Sequence, residues 1–162
     1  MIQMARYNAW ANRRIVGALQ ALDNARLDAE LRSSFPSLRK TVTHLRAAER
    51  VWMDRLALVE SPVWLGGDFG PSFPELCVQW LAVSDELARF AEKQYNDKAL
   101  LHVVEYRDLK KALHKTPVFA VLQHVFNHST YHRGQLVTMM RATGSTKIPG
   151  TDLMLFVRTG GK

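Results

Sequence analysis

Four long stretches of this chain repeat their apolar residues every three or four positions, and turn-forming residues bound each stretch. That period belongs to helices packed by one face, and it leaves little room for a sheet-based core. The first stretch is predicted to be a helix over Gln3–Leu22, with Tyr7, Trp10, Ala11, Ile15, Ala18, Leu19 and Leu22 on one face and Asp23-Asn24 as a stop. A polar connection then leads to Ser33-Ser34-Phe35-Pro36, where the proline blocks continuation of any helix before it. Ser37 is the expected cap of a second helix reaching Glu60, its apolar face carrying Leu38, Val42, Leu45, Ala48, Val51, Trp52, Leu56 and Val59. A third is expected from Glu75 to Tyr95, closed by Asn96-Asp97. The fourth should start at Thr116-Pro117, a cap residue followed by proline at the first helical position, and run to Thr143 with Gly144 as its terminal glycine.

Between the second and third helices lies a loop over 62–74 with three glycines and several prolines, a natural crossover between halves. Before the fourth helix, Leu100–Tyr106 and Leu109–Lys115 read as a small β-hairpin, because β-branched and aromatic residues flank Arg107-Asp108. Thr151–Val157 adds a short terminal helix. The expected architecture is all-α: an up-and-down-type four-helix bundle with a crossover loop, a hairpin insertion and a short C-terminal helix. No repeat or domain boundary interrupts it, so residues 1–162 are read as one domain.

Composition removes several functional classes. Hydrophobic residues are 47% and charged residues 23% of the 162, an ordinary globular balance that rules against disorder. A single cysteine, Cys77, excludes an internal disulfide and suits a reducing compartment. No apolar stretch approaches the roughly 20 residues of a membrane span, and the first residues do not read as a signal peptide, so the expectation is a cytoplasmic protein with no membrane partner. The net charge of +7 should attract anions, but its densest groupings are only the pairs Arg13-Arg14, Arg39-Lys40 and Lys110-Lys111. No helix-turn-helix, zinc-finger spacing or aromatic-basic stripe accompanies it, so no specific nucleic-acid partner is expected.

The histidines carry the chemical signal. His128 and His132 are four residues apart, about 40° around one helical face. They share that face with Val121, Val125, Gln135, Leu136 and Met139, so they point inward. Two unpaired imidazoles facing a core are costly unless something bonds them. His44, on the inward stripe of the second helix with Ala48, Val51 and Arg55, is the candidate third member. Two readings remain at this point: hydrogen-bonded core histidines, or three imidazole ligands that leave positions on a zinc, nickel, copper or iron ion available to a further ligand. Ser129, not a glutamate, follows His128, so the arrangement of a zinc protease with its adjacent general base is absent.

Other positions carry weaker expectations. His124 reads as a packed residue or a support to the ligands, and His102 and His114 as polar residues of the hairpin. Gly134 is a costly choice inside a helix, and close approach of a second helix is the plainer reason for it. Gln135 can orient a ligand or simply bond within the core. Arg55 reads as an arginine snorkelling to the surface edge, with an anionic substrate as the sharper alternative. Trp10, Trp52 and Trp80 are expected core anchors, while Tyr131 and Asn127 receive no role.

Three segments together resemble the DinB family of the DinB/YfiT-like superfamily. They are Tyr7-Asn8-Ala9-Trp10-Ala11-Asn12; Thr43-His44-Leu45 leading to Ala48-Glu49-Arg50-Val51-Trp52; and Val125-Phe126-Asn127-His128-Ser129-Thr130-Tyr131-His132-Arg133-Gly134-Gln135. The resemblance implies a four-helix bundle, often homodimeric, that binds one divalent metal, zinc or nickel foremost, through His44, His128 and His132. It also implies, for some members, a metal-dependent transfer or isomerisation that uses a low-molecular-weight thiol and an electrophile. The alternative is a noncatalytic, stress-related metal-binding protein.

Overall fold

The computed structural model describes residues 1–67, 70–94 and 96–161. Helix α1 spans Ile2–Leu19, α2 Asn24–Asp28, α3 Leu38–Leu56, α4 Phe73–Gln94, α5 Val118–Ala142 and α6 Leu153–Thr159. Strands β1 (Val103–Arg107) and β2 (Leu113–Pro117) form an antiparallel hairpin that pairs Val103 with Pro117 and Arg107 with Leu113. The four long helices make the bundle: α1 and α3 each pack against both α4 and α5. The apolar faces meet in a core containing Ile15 and Leu19, Val42 and Leu45, Trp80 and Leu87, and Leu122 and Leu136. A smaller cluster of Tyr7, Trp10 and Ala11 receives Leu153, Leu155 and Phe156, which docks α6 on α1.

Caps explain where α2, α3 and α6 begin. Ser37 Oγ accepts from the Lys40 amide at 3.2 Å, as its position after Pro36 predicts. Asp152 accepts from the amides of Met154 and Leu155 at the start of α6. Asp23, read from sequence as a stop, instead caps the short α2 through the Arg26 amide at 2.9 Å, and α1 ends at Leu19 rather than at Leu22. Helix α3 also stops early, at Leu56 rather than Glu60. There Leu58 takes a left-handed conformation, φ 58°, and its amide bonds back to Arg55 O. A leucine in that conformation gives no sequence signal, because glycine is the usual marker. At the start of α5, Thr116 and Pro117 belong to β2, and Pro117 rather than Thr116 is the residue at the helix boundary. Leu100 and Leu101 form a 3-10 turn ahead of β1 rather than strand. Helix α4 begins at Phe73, two residues before the expected Glu75, and its expected last residue, Tyr95, lies outside the described residues, as do Asp68 and Phe69 of the glycine-rich loop.

A polar layer crosses the apolar core. Glu49 of α3 is 1% exposed, and its Oε1 accepts from Asn8 Nδ2 and Asn12 Nδ2, each at 2.9 Å, and from Ser129 Oγ at 3.1 Å. Its Oε2 accepts from Ser84 Oγ of α4 at 2.5 Å. Arg133 of α5, 2% exposed, donates to the Oδ1 atoms of Asn8 (2.6 Å) and Asn12 (2.9 Å). The two asparagines thus relay between a buried carboxylate and a buried guanidinium. All four long helices contribute, so the layer fixes their rotation and register. The sequence reading assigned none of these residues a role.

Candidate metal centre

Helices α3 and α5 face one another across the bundle, and the inward histidines of each meet at the seam. Nitrogens of His44, His128 and His132 all lie within 4.8 Å of one another. His44 Nε2 and His128 Nε2 are 2.9 Å apart, and the ring centroids of His128 and His132 are 4.4 Å apart. The i, i+4 spacing on α5 therefore does what its 40° offset suggested.

The surroundings explain the protonation. Burial pulls the His44 imidazole down to about 4 and that of His128 to about 3, in both cases with a further push from neighbouring imidazoles. His132 is also lowered by burial. Bringing three cations together in a part-buried seam is unfavourable, so near neutral pH all three rings are neutral and offer lone pairs. One ring is oriented further. Gln135 Oε1 lies 2.7 Å from His132 Nδ1, and a carbonyl oxygen only accepts, so the proton sits on Nδ1 and the Nε2 lone pair is left for the cluster. Gln135 is itself fixed, its Nε2 donating to Ser34 Oγ at 2.7 Å. Of its two sequence readings, core bonding and orientation of a ligand, the structure shows a bond to the His132 ring of the cluster.

Loop residues complete the walls. Phe35, placed by the Pro36-Ser37 start of α3, stacks on His44 with centroids 4.2 Å apart and also approaches His132 at 5.6 Å. Trp64 approaches His44 from the glycine-rich loop at 5.7 Å. Gly66 is what lets that indole fold back, since a Cβ there would fall 2.5 Å from the ring. Ser34, Phe35 and Trp64 escaped the sequence reading; their one signal is an aromatic or hydroxyl side chain in a turn segment with no period. Tyr131 is exposed, yet its ring edge meets His132 at 5.0 Å.

Other expectations divide. His124 is not a member of the cluster; its ring meets His128 at 5.7 Å and packs edge-on against Trp52 at 5.1 Å. His114 approaches Asp108 at 3.1 Å in the hairpin, and His102 precedes β1. Arg55 does not snorkel: it is only 9% exposed, and the hairpin covers it. Trp10 and Trp80 are buried as expected, whereas Trp52 is half-buried beside Arg55 and His124. Gly134 is exposed with open space around it, so no neighbouring helix requires it. Asn127 is exposed.

The donor set fits a divalent transition ion. Two imidazole nitrogens on one zinc-sized ion at about 2.1 Å stand roughly 3.0 to 3.4 Å apart, depending on the angle between them. The 2.9 Å between His44 and His128 is close to that range, and three neutral nitrogens with no carboxylate or thiolate would leave an ion most of its charge.

The four-helix bundle with its hairpin insertion, and three histidines brought together between its second and last long helices, agree with the DinB-like fold that the sequence resemblance implied. The pattern that defines the DinB family matches residues 1–159, and the chain belongs to that family. It is 28% identical over 160 residues to Protein DinB of Bacillus subtilis (strain 168), an alignment covering 93% of this chain and 90% of that one. Two solved structures share the fold, each with a TM-score of 0.67. One is a DinB-like protein from Bacillus cereus ATCC 10987, at 20% identity over 87% of this chain and 90% of the other. The second is a DinB-like protein from Bacillus subtilis, at 14% identity over 93% of this chain and 98% of the other. Among the described residues no helix is long and apolar enough to cross a membrane.

Proposed function

We propose that this protein is a metal-dependent enzyme that activates a small thiol for transfer to an electrophile, with His44, His128 and His132 as the metal ligands. The observation that carries this reading is the convergence of three neutral imidazoles within 4.8 Å, with no anionic side chain among them. Zinc and nickel are among the ions that such an imidazole donor set suits. A divalent ion held there would act as a Lewis acid, lowering the pKa of a coordinated thiol so that the thiolate persists near neutral pH.

The chain's own residues would hold the geometry. Gln135, braced by Ser34, keeps the His132 lone pair directed into the cluster. Phe35 and Trp64 exclude water from one side of His44, which strengthens electrostatic effects at the site. Sulfur attacks the electrophilic carbon and the S–C bond forms as the bond to halide or epoxide oxygen breaks; the halide departs with its electron pair, or the ring oxygen keeps the pair and takes up a proton, and the thiol proton goes to solvent. No carboxylate is needed beside His128, in keeping with Ser129 there.

The test loads the protein with zinc or nickel and supplies bacillithiol, mycothiol, glutathione or cysteine together with an alkyl halide or epoxide. The expected result is metal-dependent conjugation that disappears in His44→Ala. No rate above background with any thiol, in fully metallated protein, overturns the enzymatic reading and leaves metal binding alone.

A further inference from the structure

Beyond the triad, the α3–α5 seam continues past His124 and Trp52 to Arg55, where the hairpin covers the end of α3. A pocket of about 290 Å³ opens there, lined by Arg55, Leu58, Glu60, Tyr106, Arg107 and Leu113 among others. Its size lies near the lower end of the roughly 300–1,000 Å³ usual for small-molecule sites.

Arg55 is the anomaly in this pocket. Its guanidinium centre sits 4.5 Å from the Trp52 ring and 4.7 Å from the Tyr106 ring, so aromatic faces cover it. One terminal nitrogen donates to Arg107 O at 2.9 Å, while Nε is buried with no acceptor. Among the described residues no carboxylate pairs with it. Nearby, Asp54 pairs with Arg50 at 2.5 Å and Glu105 with Lys115 at 3.0 Å, and Asp108 approaches His114 at 3.1 Å, while Glu60 lines the same pocket without bonding Arg55. A buried guanidinium is normally matched by a carboxylate or phosphate, since desolvating it without a counter-charge is costly. Burial weakens its hold on its proton, and the nearby Tyr106 and Asp108 oppose that only in part.

We infer that the pocket beneath the hairpin is a binding site for a small carboxylate, its anionic end on Arg55 and its apolar end against Leu58, Leu113 and Tyr106. Glu60 and Glu105 at the lining disfavour a doubly charged phosphate more than a singly charged carboxylate. The inference does not rest on thiol chemistry, because the pocket contains no histidine of the triad.

The experiment titrates the full chain calorimetrically, metal-free and zinc-loaded, at constant ionic strength with 3-methylbutanoate, 3-methylbutanol and inorganic phosphate. Saturable binding of the carboxylate at millimolar concentration or tighter is expected, at least tenfold stronger than that of the alcohol or of phosphate, and the same with and without zinc. Arg55→Lys should weaken it at least tenfold. Leu113→Trp, a change at a half-exposed strand position that fills the pocket without touching Arg55, should abolish it while the helical signal stays intact. Equal binding of the alcohol would reduce the pocket to an apolar hollow. Absence of saturable carboxylate binding, preference for phosphate, or affinity unchanged in folded Leu113→Trp would overturn the assignment. None of these results depends on whether a thiol is ever activated.

Discussion

Two polar clusters lie within the same bundle, and they are built on opposite principles. The layer around Glu49 and Arg133 closes on itself: the side-chain amides of Asn8 and Asn12 donate to the carboxylate, and their carbonyls accept from the guanidinium. The triad, five residues earlier on α3, does not close. Its nitrogens share one 2.9 Å contact between His44 and His128 and one bond from His132 to Gln135, and the remaining lone pairs converge on each other. Buried polar groups that satisfy one another specify a fold, whereas groups that converge without satisfying one another are arranged for something else. The two clusters are even interleaved on α5, where Ser129 and Arg133 each directly follow a triad histidine in sequence. A 100° turn per residue sends one set to the layer and the other to the seam.

The sharpest way to break that contrast is to remove the centre of the closed layer. Glu49→Ala leaves the amides of Asn8 and Asn12 and the hydroxyls of Ser84 and Ser129 without their acceptor, and Arg133 without its counterpart. Loss of one member of such a buried pair costs about 3–5 kcal/mol, so chemical denaturation should show a large fraction of the protein's stability gone. A loss below about 1 kcal/mol would mean that the layer does not hold the bundle.

Removing a triad member should give the reverse profile. His128→Ala deletes a half-buried imidazole with few bonds, so metal-free stability should change by only about 1 kcal/mol while bound metal per chain falls sharply. The stoichiometry should be measured on untagged protein, because a polyhistidine tag would supply ligands of its own. Full occupancy in His132→Ala would remove that residue from the ligand set; altered occupancy in His124→Ala would promote His124 to a support.

Acid separates the clusters a third way. His44 and His128 titrate at about 4 and about 3 in the fold, below the usual 6.5 for histidine. As pH falls below 6.5 the unfolded chain takes up protons that the folded chain refuses, so the unfolded state gains. Metal-free stability should be level above neutrality and decline from about pH 6.5 toward about pH 3. The decline should flatten in a His44→Ala/His128→Ala double variant, which denaturation midpoints across a pH series will show. Glu49→Ala should not flatten it.

The parts legible in the sequence are those that follow a period. The four long helices, the hairpin and the three histidines obey spacings of three, four or two residues, and a spacing survives translation into a face. The features that were missed depend on the chain folding back. Phe35 and Trp64 reach His44 from turns, and nothing in their neighbours' spacing tells which way a turn leads. Helix α2 is five residues long, too short for a period, and its cap reads equally well as a stop. The polar layer is a different failure, because Asn8 and Asn12, like Ser129 and Arg133, are pairs four residues apart beside apolar faces. That spacing is visible in the sequence, but an arginine is so commonly a surface residue that nothing in the spacing marks Arg133 as buried.

A milder change sharpens the account of the triad. Gln135→Ala leaves all three imidazoles in place and removes only the partner of His132 Nδ1. Loss of a bond that orients a ligand typically lowers metal affinity about 10–100-fold. Competition with a calibrated chelator reads this directly, and unchanged affinity would show that the Phe35 and Tyr131 contacts hold His132 by themselves.

The smallest effect concerns Gly134, between the two clusters on α5 but belonging to neither. It is exposed and helical, and an added Cβ meets nothing within 4 Å. Glycine in a helix interior gives up about 1 kcal/mol relative to alanine, through backbone entropy alone when no contact is involved. Gly134→Ala should therefore stabilise the protein by up to about 1 kcal/mol, a small upward shift of the thermal midpoint, with metal affinity unchanged. That outcome would place the residue outside both networks. If stability rises as expected but metal affinity falls, the backbone at 134 must flex for His132 and Gln135 to reach their bound geometry, and the open cluster would extend one residue further along α5 than its hydrogen bonds suggest.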